Sequence, residues 1–195
     1  MQKLDRLFDI FSGVSFVRSK QVNLDAVKQT VLTPPDLTLG NVLDETLIQS
    51  IDKVEVKISV PTKRWLRTND IVVVARGTTF RAALITAKLK PEQCLAAQSL
   101  VVLRPNHAHP EWCVNLLNSD WFNQTYIQKY HTPKITLNIK ELSNYQVHNL
   151  DDEQRRALAD DFYRTREIVK AAQALIASAK HLNEAKLVNQ LKAPN

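Results

Sequence analysis

Residues 151–192 read DDEQRRALADDFYRTREIVKAAQALIASAKHLNEAKLVNQLK. Neither glycine nor proline interrupts them, so one continuous helix is expected. Asp151 stands at the N-cap with Gln154 three residues on, the pattern of a capping box. Leu158, Phe162, Thr165, Val169, Ala172, Ile176 and Ala179 then recur at alternating steps of four and three, and Ile168, Leu175 and Leu182 widen the stripe on one flank. This period makes a seam for another helix. At 1.5 Å per residue, roughly 38 residues run roughly 55 Å, too long to pack on one small domain, so the helix must project or find a partner. Residues 151–161 hold five acids and two bases, whereas 164–192 hold six bases and two acids. That polarity suits the helix macrodipole, and it equally suits an antiparallel copy.

Residues 1–150 have a different texture of short strand-like runs, prolines and short helical patterns, so the chain divides into a head at 1–150 and a helix at 151–192. LDRLFDIF (4–11) spaces its apolar residues as a short amphipathic helix. VEVKISV (54–60) alternates as a half-buried strand with one polar face. Ile71–Ala75 and SLVVLRP (99–105) are expected as buried strands. HPEWCVNLLNSDWFNQTYIQKY (109–130) is expected as helix, broken near Asn118–Asp120 where Ser or Asp can cap a second segment. TPKITLNIKEL (132–142) is expected as an extended loop entering a short strand or helical turn. The mixture predicts an α+β head rather than a regular βαβ series.

At 195 residues and 44% hydrophobic content, the chain can build a core. Its net charge of +6 is concentrated: from Lys53 to Lys90, nine Lys and Arg stand against two acids. Trp121–Lys140 adds three lysines and one histidine with no acid. Concentrated positive charge suits a nucleic-acid partner, and also a plain solvated face. Cys94 and Cys113 make no disulfide framework and are expected as buried thiols in a reducing cytoplasm. No apolar leader or membrane-length run is visible.

Three glycines, at 13, 40 and 77, cannot build a glycine-rich nucleotide loop. Pro35-Asp36 followed by Glu55-Val56-Lys57 fits the PD…ExK pattern, in which two carboxylates hold Mg²⁺ and a lysine supports phosphodiester cleavage. That spacing is common by chance and Asp36 has no visible acidic helper, so a nuclease stands as the alternative. His107, His109 and Cys113 have metal-like spacing but lack a fourth ligand nearby. A helix-mediated interaction protein without a DNA role is the other alternative.

Several stretches in order carry a family resemblance: LFDIFSGVSF (7–16), WLRTNDIVVVARGTTFRAALI (65–85), CLAAQSLVVLRP (94–105), WCVNLLNS (112–119), HTPKITLNIKELSNYQV (131–147) and LDDEQRRALADDF (150–162). Together they resemble the target-recognition domain and spacer helix of specificity (S) subunits from Type I restriction–modification systems. The family's subunits hold two such domains and two helices, and this chain resembles half of one. The resemblance implies a non-catalytic, sequence-specific binder of double-stranded DNA, acting as a homodimer whose two helices form an antiparallel coiled coil. It implies a methyltransferase (modification) subunit as partner, and possibly a restriction subunit. Those partners are expected to use S-adenosylmethionine, ATP and Mg²⁺, with no cofactor bound by this chain.

On that reading NDIVVVARGTTF (69–80) is a core strand that delivers Arg76, Thr78, Thr79 and Arg81 to a DNA-facing loop. Arginine can bind guanine in bidentate fashion, and threonine suits bases or phosphates. The second expected loop offers Tyr130, His131, Thr132, Lys134 and Thr136, while Lys63, Arg64 and Arg67 are expected to hold phosphates. The dimer and partner face is expected on Leu158, Phe162, Thr165, Val169, Ala172, Ile176 and Ala179.

Overall fold

The computed structural model describes residues 1–15, 27–39, 42–56, 60–77, 80–130 and 135–192. Twelve strands appear among them: β1 (Gln2–Lys3), β2 (Phe8–Ser12), β3 (Val27–Leu32), β4 (Val42–Leu43), β5 (Lys53–Val56), β6 (Ile71–Val74), β7 (Arg76–Gly77), β8 (Ala82–Ile85), β9 (Cys94–Ala96), β10 (Leu100–Pro105), β11 (Ile135–Thr136) and β12 (Gln146–Val147). The α-helices are α1 (Glu45–Ser50), α2 (Glu111–Asn118), α3 (Asp120–Tyr130), α4 (Ile139–Ser143) and α5 (Asp152–Lys192). The architecture is α+β, with mixed sheets and a long C-terminal helix.

The central sheet has the order β2-β10-β6-β8-β4, with β6 in the middle. Every residue of β6, IVVV, is buried because the sheet is covered on both faces. Side chains alternate across a strand, so the apolar run divides between two cores. Ile71, Val73, Leu84, Val101 and Leu103 pack with Trp112, Val114, Leu117, Phe122 and Tyr126 of α2 and α3. Val72, Val74, Ile85, Leu100 and Val102 pack on the opposite face with Leu32, Leu43, Ile48 and Leu66. There a smaller sheet, β5-β3-β9, covers the first. Gly13 lies where the two sheets meet. Its N–H donates to the Leu100 carbonyl, and any Cβ there would collide with the carbonyl oxygens of Ala96 and Ala97.

The expected helix at 4–11 is not formed. Leu4–Arg6 makes one 3₁₀ turn and Phe8–Ser12 is strand β2. Pairing with β10 along its whole length, from Phe8↔Pro105 to Ser12↔Val101, overrides the local helical spacing. Phe8 and Ile10 then face the first core and Phe11 the second, a period of two. The buried strands β6 and β10 follow the sequence expectation. So does the helix break: Ser119 separates α2 from α3, and its hydroxyl accepts from the Phe122 N–H at 3.1 Å. Of VEVKISV, strand β5 ends at Val56, and 57–59 lie outside the described residues.

The capping box opens α5 as expected: the Gln154 N–H donates to Asp151 Oδ1 at 2.8 Å, and the Asp151 N–H to Gln154 Oε1 at 3.1 Å. The head's core continues into this helix. Arg155, Ala159 and Phe162 are buried, and the Tyr163 hydroxyl meets Glu111 Oε1 at 3.0 Å. Phe162, expected on the open seam, is only 3% exposed and joins the first core. The heptad spacing is the same for a side chain facing the head and for one facing a second helix, so sequence could not separate them. Beyond Arg166, every residue to Ala185 is exposed.

One ion pair locks the sheet. Arg104 on β10 donates from Nε to Asp70 Oδ1 at 2.9 Å and from Nη2 to Asp70 Oδ2 at 2.7 Å. It also binds the carbonyls of Lys63 at 2.9 Å and Trp65 at 2.7 Å. Burial pushes the Asp70 carboxyl above its ordinary pKa, while the Arg104 guanidinium pulls against that shift. Asp70→Ala is expected to destabilise the fold by about 3 kcal/mol, because it strands the guanidinium. Urea unfolding monitored by tryptophan fluorescence measures the loss.

Candidate nucleic-acid interface

Strand β6 leaves the core at Ala75, and β7 follows at once. β7 pairs antiparallel with β11, matching Gly77 to Ile135 and Arg76 to Thr136. The Leu137 N–H extends this ladder by donating to the Ala75 carbonyl at 2.7 Å. The segments chosen from sequence, 76–81 and 130–136, thus meet through Arg76–Gly77 and Ile135–Thr136, although 48 residues separate them. Arg76 is exposed on β7. Arg81 is half-buried on the returning limb, where its carbonyl accepts from the Val74 N–H. Tyr130 closes α3 and Thr136 closes β11. Thr78, Thr79, His131, Thr132 and Lys134 lie outside the described residues.

The helical layer holds the limb that returns from β7 to β8. Asn123 Oδ1 accepts from the Phe80 N–H at 2.8 Å. Asn118 brackets Ala82, accepting from its N–H at 2.8 Å and donating to its carbonyl at 2.9 Å. The Phe80 ring meets Tyr126 edge-on at 5.0 Å between centroids and lies 5.6 Å from Phe122. The Tyr126 hydroxyl donates to Glu141 Oε2 at 2.7 Å, which ties α3 to α4 just after β11. Phe80 and Ala82, on the limb that returns from β7, thus rest on α2 and α3, and α4 is tied to α3 just after β11. Sequence reading missed the two asparagines, because an amide that binds main chain leaves no spacing signal.

Lys63, Arg64 and Arg67 gather at the other end of β6. At about 3.3 Å per residue, the six steps from Asp70 to Arg76 span about 20 Å. The structure does not join this group to the ladder. Lys63 and Arg64 line an open cavity of about 320 Å³ with Asp9, Phe11 and Arg104. Arg64 donates to the Ser12 carbonyl at 2.6 Å, and both Arg64 and Arg104 stack on Phe11, 5.4 Å and 5.1 Å from its centroid. Arg67 is exposed, and its N–H donates to Asp70 Oδ2 at 2.8 Å.

The other candidates are placed as follows. Asp36 Oδ2 accepts from both the N–H and the hydroxyl of Thr33, each at 2.7 Å, so it closes its own turn. The Glu55 side chain and Lys57 lie outside the described residues. His107 is exposed in a loop and His109 holds a left-handed φ of 62°, whereas Cys113 is fully buried on α2. Among the described residues, no three His, Cys, Asp or Glu side chains cluster as a metal site. Burial pushes the Cys94 thiol up to about 12 and raises that of Cys113 as well.

On α5 the seam positions Thr165, Val169, Ala172, Ile176 and Ala179 are exposed, Val169 by 48% and Ile176 by 56%. Leu158 stands at the edge of the head, 37% exposed. No described helix is long and apolar enough to cross a membrane.

The whole arrangement superposes on the HsdS subunit from Thermoanaerobacter tengcongensis with a TM-score of 0.61 and 16% identity, covering 95% of this chain. A chain from a structure of complex assembly and conformational transition in the type I R-M system gives a TM-score of 0.64 and 18% identity, covering 97%. This chain has their fold. It spans 43% of the length of each. No family model matches the sequence, and neither does any curated protein.

Asn123→Ala is expected to leave the buried Phe80 N–H unpaired and to cost about 1–3 kcal/mol. Hydrogen exchange should accelerate at Phe80 and at the β7–β11 ladder, while the β6 and β10 amides keep their protection.

Proposed function

We propose that the chain is the DNA-recognition half of a Type I specificity subunit, catalyses nothing itself, and works as a homodimer. The observation that carries this reading is the β7–β11 ladder. It pairs Arg76–Gly77 with Ile135–Thr136, each within a segment whose sequence is rich in cations and hydroxyls. The fold shared with the HsdS subunit supports the same reading. Arg76, Thr78, Thr79 and Arg81 with Tyr130, His131, Thr132, Lys134 and Thr136 would meet base edges and nearby phosphates. Lys63, Arg64 and Arg67 would set register on the backbone. The exposed seam of α5 would receive the antiparallel helix of a second copy. A methyltransferase subunit, and a restriction subunit where one exists, would dock on the helix pair and supply the chemistry, using S-adenosylmethionine, ATP and Mg²⁺. A symmetric pair would read inverted half-sites.

Duplex DNA titrated at two salt concentrations, with and without the methyltransferase partner, tests the binding. Lys63→Ala and Arg67→Ala should weaken all sequences alike and lower the salt slope by about one each, whereas Arg76→Ala should lose about 1–3 kcal/mol of discrimination. Absence of binding at low salt in both settings would favour an interaction protein with no DNA role.

Val169→Asp combined with Ile176→Asp should convert a dimer to a monomer in light scattering. A monomer of the unaltered chain would remove the two-fold arrangement.

A further inference from the structure

The open cavity beside Phe11 is lined by more hydrogen-bond donors than the head uses. Arg104 belongs to it, but Asp70 matches its charge and its N–H groups are nearly all committed. One N–H remains on Nη1 beyond the bond to the Lys63 carbonyl. Arg64 spends one N–H on the Ser12 carbonyl and has no ion-pair partner among the described residues. Lys63 shares its 3₁₀ turn, Thr62–Arg64, and is exposed and equally unpaired among the described residues. Among the described lining residues Asp9, exposed on β2, brings the only uncommitted carboxylate.

The two arginines are held before any ligand arrives. Both stack on Phe11, Arg64 is pinned by the Ser12 carbonyl, and Arg104 is fixed by Asp70. A side chain already fixed loses little entropy on binding. A guanidinium fork matches the oxygens of a phosphate or a carboxylate. Lys63 and Arg64 put two uncompensated cations on one recess, which suits a dianion better than a monoanion. At neutral pH a phosphate monoester carries about 1.5 to 2 negative charges, whereas a backbone diester carries about one. At about 320 Å³ the cavity is larger than a bare phosphate, and it leaves room for the group that carries it against Ile10 and Phe11.

We propose that the cavity is a binding site for a phosphate monoester of nucleotide size, its phosphoryl oxygens held by Arg64, Lys63 and the remaining N–H of Arg104. This goes beyond the backbone contacts assigned to Lys63 and Arg64, because it needs no duplex and lies at the opposite end of β6 from Arg76. Asp9 lines the same recess and limits the affinity, since its carboxylate opposes the incoming charge. A duplex phosphate offers the same chemistry with less charge, so a nucleotide and DNA would compete for the two cations.

Calorimetric titration of the full chain with adenosine monophosphate, in the absence of DNA, tests the pocket. The monophosphate should bind about tenfold or more tightly than adenosine or the cyclic diester of the same nucleotide, and inorganic phosphate should displace it. Equal binding of these compounds, or no binding of the monophosphate, overturns the assignment. Displacement by glutarate as effective as by phosphate also overturns it, and would make the recess a carboxylate site. Arg64→Gln and Lys63→Gln should each weaken the monophosphate about tenfold. Asp9→Asn should strengthen it about threefold, a change opposite in sign to the effect of lost structure. If none of these substitutions moves the constant, the nucleotide sits elsewhere and the proposal fails. Duplex DNA titrated in parallel separates this site from DNA recognition. Binding of duplex without monophosphate removes the pocket and leaves DNA recognition standing, and binding of monophosphate without duplex does the reverse. Where both bind, the monophosphate should weaken the duplex complex; if it does not, Lys63 and Arg64 lose their backbone role and keep the pocket.

Discussion

The guanidinium of Arg104 ties the central sheet to the turn that leads into β6. It grips Asp70 with two hydrogen bonds and reaches the main chain at Lys63 and Trp65. Removing two charges from water is costly, and fork-to-carboxylate geometry with added carbonyl acceptors offsets that cost. Asp70 occupies the entry to β6, and Arg104 lies on the strand beside it, so the pair fixes the register of β6 against β10. Asn69 turns the chain into the strand with φ of 72°, a conformation that asparagine tolerates better than most residues. Once β6 is placed, its exit is placed too, and with it Arg76.

What could be read from the sequence was what rests on local repetition. Ile71–Val74 and Leu100–Pro105 announced themselves as apolar runs, Asp151 and Gln154 as a reciprocal cap, and Asn118–Asp120 as a break between helices. Phe8–Ser12 was misread because four apolar residues at helical spacing also satisfy an edge strand whose two faces are both partly covered. Phe162 was misassigned because the seam pattern does not say which neighbour covers a given turn. The chosen loops were found by composition, but their adjacency was not legible. β7 and β11 are two residues each, and no periodicity marks their pairing. The grouping of Lys63, Arg64 and Arg67 away from Arg76 likewise depends on the direction of β6, which composition does not carry.

The long helix has two physical regimes. Its first turns are core, with Ala159 and Phe162 buried under α2 and Tyr163 bonded to Glu111. Its later turns keep Ile168, Leu175, Ile176 and Leu182 in solvent. Isolated helical segments are marginal in water, and packing of an apolar face supplies most helical stability. The exposed half thus has the composition of an element whose stability comes from a neighbour, while its orientation is set by the half that the head retains.

The asparagine brackets have a consequence for how this surface can vary. Asn118 and Asn123 hold Phe80 and Ala82 only through peptide N–H and carbonyl groups. The Phe80 ring shares in the mounting by packing on Phe122 and Tyr126, whereas Arg76 is exposed. The residue at 76 can change through mutation while the scaffold keeps the same posture, so new preferences for a ligand can arise without a new fold.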